Sequence, residues 1–132
     1  MKRFSLRLKR GMSLVEIVVS IFIITLMSAT AITLISTSIK SDQKNLRDTE
    51  IALATKSVID CFNFANDFDE FYDVLCTLDD DYTKDEQGEI SLSKKRFILV
   101  VTADFVQNEI TVEAFDKAGN SLSTTSYNKG LV

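Results

Sequence analysis

The 132-residue chain contains no histidine, no tryptophan and no proline, and it has only two cysteines and four glycines. Without histidine, the commonest general base and most activated serine or cysteine nucleophiles are excluded. The pattern Ser-x-x-Lys occurs, as at Ser41 to Lys44 and at Ser91 to Lys94, but neither Ser-Asp-Asn nor Lys-Thr-Gly accompanies it. An enzyme is not expected. Two cysteines with no histidine cannot build a zinc site, and no cofactor is expected. The absence of proline has a structural consequence as well. With no glycine between Met12 and Cys61 either, nothing in that stretch breaks a helix. The length admits one domain plus a membrane helix and is too short for two independent cores.

The chain does have an uninterrupted apolar run. Lys2, Arg3, Arg7, Lys9 and Arg10 precede it, and from Leu14 to Ile35 it carries a single charge, Glu16. At about 1.5 Å per helical residue the run spans roughly 33 Å, close to the ~30 Å of bilayer hydrocarbon. Five leading cations orient such a segment with its N-terminus in the cytoplasm and the rest of the chain outside. Glu16 is out of place in lipid: at bilayer-centre depth a carboxylate costs roughly 2.5–3.5 kcal/mol on insertion scales. It needs a proton, the interface or a cationic partner.

A basic leader, then Gly11, Met12, Ser13, Leu14, Val15 and Glu16, then an uncharged helix, resembles the N-terminus of type IV prepilins and type II secretion pseudopilins. The resemblance implies cleavage after Gly11 by a membrane-embedded aspartyl prepilin peptidase, followed by methylation of the new amine on Met12. Met12 stands where the family usually has phenylalanine. The resemblance also implies that Glu16 faces the N-terminal ammonium of a neighbouring subunit during assembly, which turns two unfavourable buried groups into one satisfied pair. Glycine before the cut lets an extended backbone enter a narrow protease site without a side-chain clash. Two other readings of the segment are a signal peptide cut after Ala29-Thr30-Ala31 and an uncleaved single-pass anchor.

Removing residues 1–11 takes five of the 15 cations and none of the 19 acids, leaving a side-chain charge of −9. A domain that acidic repels a phosphate backbone, so no nucleic-acid contact is expected from this subunit.

Past the membrane run, Ile32, Ile39, Leu46 and Leu53 recur every seven residues, with Ile35, Ala54 and Cys61 beside them. The spacing predicts one helix from Ser13 to about Ile59, roughly 70 Å long, with Leu46 and Leu53 packed on their own domain. Phe64, Phe68, Phe71, Tyr72 and Leu75 then fall at helical spacing among acidic residues and predict a short amphipathic helix with core-facing aromatics. Cys61 and Cys76 flank it. In an extracytoplasmic domain they are either a disulfide, worth about 3 kcal/mol in the chain-entropy model, or two buried free thiols. Asp79-Asp80-Asp81, Asp85, Glu86 and Glu89 form an acidic stretch read as a solvated loop. It fails the EF-hand pattern, with Lys84 at the sixth position and Ile90 at the twelfth, so Asp79, Asp81 and Asp85 are a weak calcium candidate.

From Glu89 the pattern is strand. Phe97 to Val101 is a continuous apolar run, as for a strand covered on both faces. Ile110, Val112 and Ala114 alternate with Thr111, Glu113 and Phe115, and Leu122 to Tyr127 reads as alternating again. Asp104 to Asn108 and Asp116 to Asn120 carry turn formers. The expected fold is α+β: a long N-terminal helix, half membrane and half amphipathic, packed on a small C-terminal antiparallel sheet of three to four strands, the fourth at Ile90-Ser91-Leu92. The resemblance implies the same architecture, and the C-terminal pattern with Asp116 and Gly119 is somewhat similar to minor V-type pilins and I-type pseudopilins.

The expected organisation is a leader at 1–11, a transmembrane and assembly half-helix at 12–35 and an extracytoplasmic domain at 36–132. Thr25 and Thr33 stand where many major pilins have helix-loosening glycine or proline, which favours a minor or tip subunit. The partners implied are prepilin peptidase, other pilin or pseudopilin subunits, the inner-membrane assembly platform, and membrane lipid before assembly. The alternative from another class is a single-pass or secreted adhesion or ligand-binding domain using residues 62–89. Gly11→Val is expected to leave only the longer precursor on an immunoblot of membranes, whereas a processed band in that variant would remove Gly11 from the cleavage site.

Overall fold

The computed structural model describes residues 13–130; Gly11 and Met12 lie outside the described residues. The chain divides into two compact units between Asp42 and Gln43. Helix α1, Leu14–Phe64, contributes to both.

In the first unit the helix begins at Ser13, whose hydroxyl accepts the Glu16 backbone N–H at 3.3 Å. An 18-residue window of α1 has a mean hydropathy of 2.4 and none of it is buried within the chain. By length and composition α1 is apolar enough to cross a membrane. The hydroxyls in this run do not spoil it. Those of Ser20, Thr25, Ser28 and Thr33 donate to carbonyls one turn back at 2.6–2.8 Å. Each is satisfied inside the helix and asks nothing of its surroundings.

The second unit holds the end of α1, a second helix α2 (Phe68–Leu78), and five strands: β1 (Tyr82–Lys84), β2 (Ile90–Ser93), β3 (Ile98–Asp104), β4 (Glu109–Phe115) and β5 (Ser121–Asn128). The strands form one antiparallel meander in chain order. The α+β arrangement is as expected, with one strand more than expected. β1 was read as acidic loop because three residues flanked by carboxylates carry no alternation to detect; its register is set by pairing Tyr82 with Leu92 and Lys84 with Ile90.

Period two puts the core on one face of the sheet. Ile90 and Leu92 of β2, Leu99 and Val101 of β3, and Ile110, Val112 and Ala114 of β4 are buried. They sit opposite one another in register: Ile90 with Val101, Leu92 with Leu99, Val101 with Val112. The run Phe97–Val101 is therefore covered on one face and not two, since Ile98 and Val100 are half-buried. The turns formed where expected. Asp104 accepts backbone N–H groups of Val106 and Gln107, and Asp116 those of Ala118 and Asn120. Asn108 and Gly119 take the positive φ that each reversal needs, 54° and 90°.

α2 adds Phe71 and Leu75 to the core as expected, but α1 completes it from residues other than Leu46 and Leu53. Ile51, Val58, Cys61 and Phe62 are the buried positions of α1, whereas Leu46 is 52% and Leu53 62% exposed. Ile51 and Leu53 are two residues apart, about 200° around a helix, so the leucine stripe lies on the far side. α1 also runs on to Phe64, because Phe62 is needed in the core, and stops before Asn66-Asp67. There Asp67 caps α2 by accepting the Glu70 N–H at 2.8 Å. Of the aromatics expected inside, Phe71 is fully buried, Phe68 and Tyr72 partly, and Phe64 is 82% exposed. Phe105, at the β3–β4 turn, joins Phe62 and Phe71 in a three-ring cluster with centroids 4.9–5.9 Å apart.

Because Phe62 ties α1 to α2 and that turn, Phe62→Ala is expected to cost about 3–5 kcal/mol, and Leu53→Ala to stay within about 0.5 kcal/mol. Denaturant unfolding of the full chain in detergent micelles checks both. Equal losses would mean that the stripe packs on its own domain after all.

Candidate functional site

The sequence singled out the start of α1, and the structure describes it from Ser13 onward. Glu16 lies in the first helical turn, and Ser13-x-x-Glu16 is the spacing of a helix capping box, a signal that the membrane argument passed over. The carboxylate thus sits where the positive end of the helix dipole favours a negative charge. That is a local reason for an acid here. Around it Leu14, Val15, Val18 and Val19 are all exposed, from 49% to 81%. The site is one acid at the head of an apolar helix that nothing among the described residues covers.

The remaining candidates do not converge. Cys61 and Cys76 are free thiols, so no disulfide closes the loop between them in this structure; Cys61 is buried and Cys76 half-buried. Burial, aided by the neighbouring Asp60, pushes the Cys61 thiol above its ordinary value. Desolvation likewise holds the Tyr82 phenol up to about 12. The weak calcium candidates are engaged elsewhere. Asp79 and Asp81 both bind the Lys94 ammonium, Asp81 at 2.7 Å. Asp85 accepts the N–H groups of Gln87 and Glu89 at 2.9 Å and so fixes the β1–β2 turn. Among the described residues, no three acidic, cysteine or histidine side chains are grouped to hold a metal.

One feature of the second unit was not foreseen. A groove of about 800 Å3 runs between α1 and β5, lined from α1 by Ile51, Ala52 and Ile59 and by the charged Lys44, Arg47, Asp48 and Lys56. Its origin lies in the β5 sequence. Ser123 pairs with Ala114 and Thr125 with Val112, so both stand on the face that the other strands fill with aliphatic side chains. The register shifts beside Leu122, and the expected apolar alternation of this strand is absent. Small hydroxyl residues cannot fill the gap. At its other end β5 is tied down: the Tyr127 hydroxyl donates to Asn63 at 3.1 Å and Lys129 Nζ to the Ala65 carbonyl at 3.3 Å. The signal in sequence was Ser121-Leu122-Ser123-Thr124-Thr125-Ser126, a strand without two apolar residues of the same parity.

The Lys94 clasp has a pH dependence of fixed sign. The hydrogen bond from Lys94 pulls Asp79 below its ordinary 3.8. A depressed carboxyl adds stability above its unfolded value, and that stability disappears as pH falls through the folded one. The melting temperature of the chain is therefore expected to fall more steeply from about pH 5 to pH 2 than that of Lys94→Met, with the two curves converging in acid. Parallel curves would mean that the clasp contributes nothing.

No protein-family model matches the chain, and neither a curated protein nor a solved structure matches it.

Proposed function

We propose that this chain is a minor type IV pilin or pseudopilin: a non-enzymatic structural subunit, inserted in the membrane as a precursor, cut after Gly11, methylated on Met12 and built into a filament or its tip. The observation that carries the reading is the pairing of Gly11 and Glu16, five residues apart in the sequence, with Glu16 in the first turn of an apolar helix that no other described residue covers. A leader of five cations sets the cut on the cytoplasmic side and the second unit outside.

The mechanism is mechanical. Before assembly, lipid covers Leu14 to Ile35. An assembly platform then extracts the subunit, and burial against neighbouring helices replaces burial in lipid, so the apolar surface stays out of water throughout. Hydroxyls bonded within their own helix suit both surroundings equally. Glu16 supplies register. Its carboxylate is favoured by its own helix dipole, and the methylated amine of an adjacent subunit provides the cation it pairs with. Ile32, Ile39, Leu46 and Leu53, exposed from 51% to 66%, extend the apolar surface available to neighbours beyond the membrane run. Thr25 and Thr33 keep the helix continuous where a major pilin often loosens, which favours the minor role.

Glu16→Ala is expected to leave cleavage at Gly11 intact and to reduce incorporation into sheared filaments, read as the ratio of filament-bound to membrane-bound processed chain. An unchanged ratio would contradict the register role.

A further inference from the structure

Both outer strands of the sheet, β1 and β5, are unpaired along one side among the described residues, and their surroundings carry opposite charge. Beside β5 the groove is lined by Lys44 and Lys56. Neither has a carboxylate within 4.0 Å among the described residues, whereas Arg47 is paired with Asp48. Around β1, residues 79–89 carry six carboxylates and one ammonium. That ammonium, Lys84, is turned to its own α2, 3.7 Å from Asp69 and 4.6 Å from the centre of the Phe68 ring. Asp80, Glu86 and Glu89 are exposed and outside every ion pair among the described residues.

β5 is eight residues long with no charge and no proline, so it lacks the usual devices that stop an edge strand from recruiting another. Its edge opens onto a groove flanked by α1 from Lys44 to Ile59, roughly 22 Å of helix. β1 is three residues long, with Asp80 in the turn before it and Glu86 in the turn after it.

We infer that the β5 edge and its groove receive the β1 edge of a second copy of this chain, continuing the sheet from one subunit into the next. Backbone pairing supplies the contact. Asp80 and Glu86, in the turns that flank the incoming strand, meet Lys44 and Lys56 beside the groove, which fixes which edges join. The contact is head to tail, so each copy still offers a free edge of each kind, and the series stays open. It needs only two neighbouring copies and does not depend on cleavage at Gly11.

Cross-linking of the full chain in detergent micelles tests this. Two variants, Thr83→Cys on β1 and Thr124→Cys on β5, each also carrying Cys76→Ser, are mixed and treated with a short bismaleimide. A dimer is expected from the mixture and not from either variant alone. Adding Lys44→Glu and Lys56→Glu to the Thr124→Cys chain is expected to lower the yield roughly fivefold, as for two such ion pairs. Asp80→Lys and Glu86→Lys in the Thr83→Cys chain are expected to restore it. A mixture that cross-links no more than its components would overturn the inference, as would a yield indifferent to the charge reversals. Processing is read separately by mass, so loss of the edge contact in a correctly processed chain removes this inference and leaves the pilin reading standing.

Discussion

The constraint from which the rest follows is a long helical surface that must stay out of water and that the described residues do not cover. A soluble domain hides such a surface in its own core, but here every buried residue among those described lies at or beyond Ile51. The apolar half of α1 takes no part in that core. Its burial has to be supplied from outside, in the function proposed first by lipid and then by other helices. The first-turn position of Glu16, the hydroxyls folded back onto α1 and the absence of proline and glycine all serve a helix that must be stable in either apolar setting.

The second unit solves a separate problem with ordinary means. One face of a five-stranded meander is buried under α1 and α2, and three phenylalanine rings from α1, α2 and the β3–β4 turn lock the helices to the strands. β5 departs from this economy, because its core-side positions are serine and threonine. The groove that results lies beside an unprotected strand edge, and both are hard to explain as contributions to stability. They make sense as surfaces held for a neighbour.

Much of this was legible in the residues. The helix, the β3–β4–β5 meander and its Asp-initiated turns follow from hydrophobic spacing and turn chemistry that act over a few residues. What was misjudged depended on which way an element faces. A seven-residue repeat says that Ile39, Leu46 and Leu53 share a stripe, but not whether the domain packs on it; the core took the opposite side, through Ile51 and Val58. Phe64 and Phe71 look alike in sequence, yet one ends a helix in solvent and the other meets Phe62. β1 was invisible because its strand character comes from pairing with β2. The same holds for the groove, whose walls are 60 or more residues apart in sequence.

The account turns most directly on the mass of the chain recovered from cells, measured intact from both the membrane fraction and sheared surface filaments. One species, beginning at a methylated Met12, is expected in both. A chain that still carries residues 1–11, or one that begins at Ile32, would contradict it.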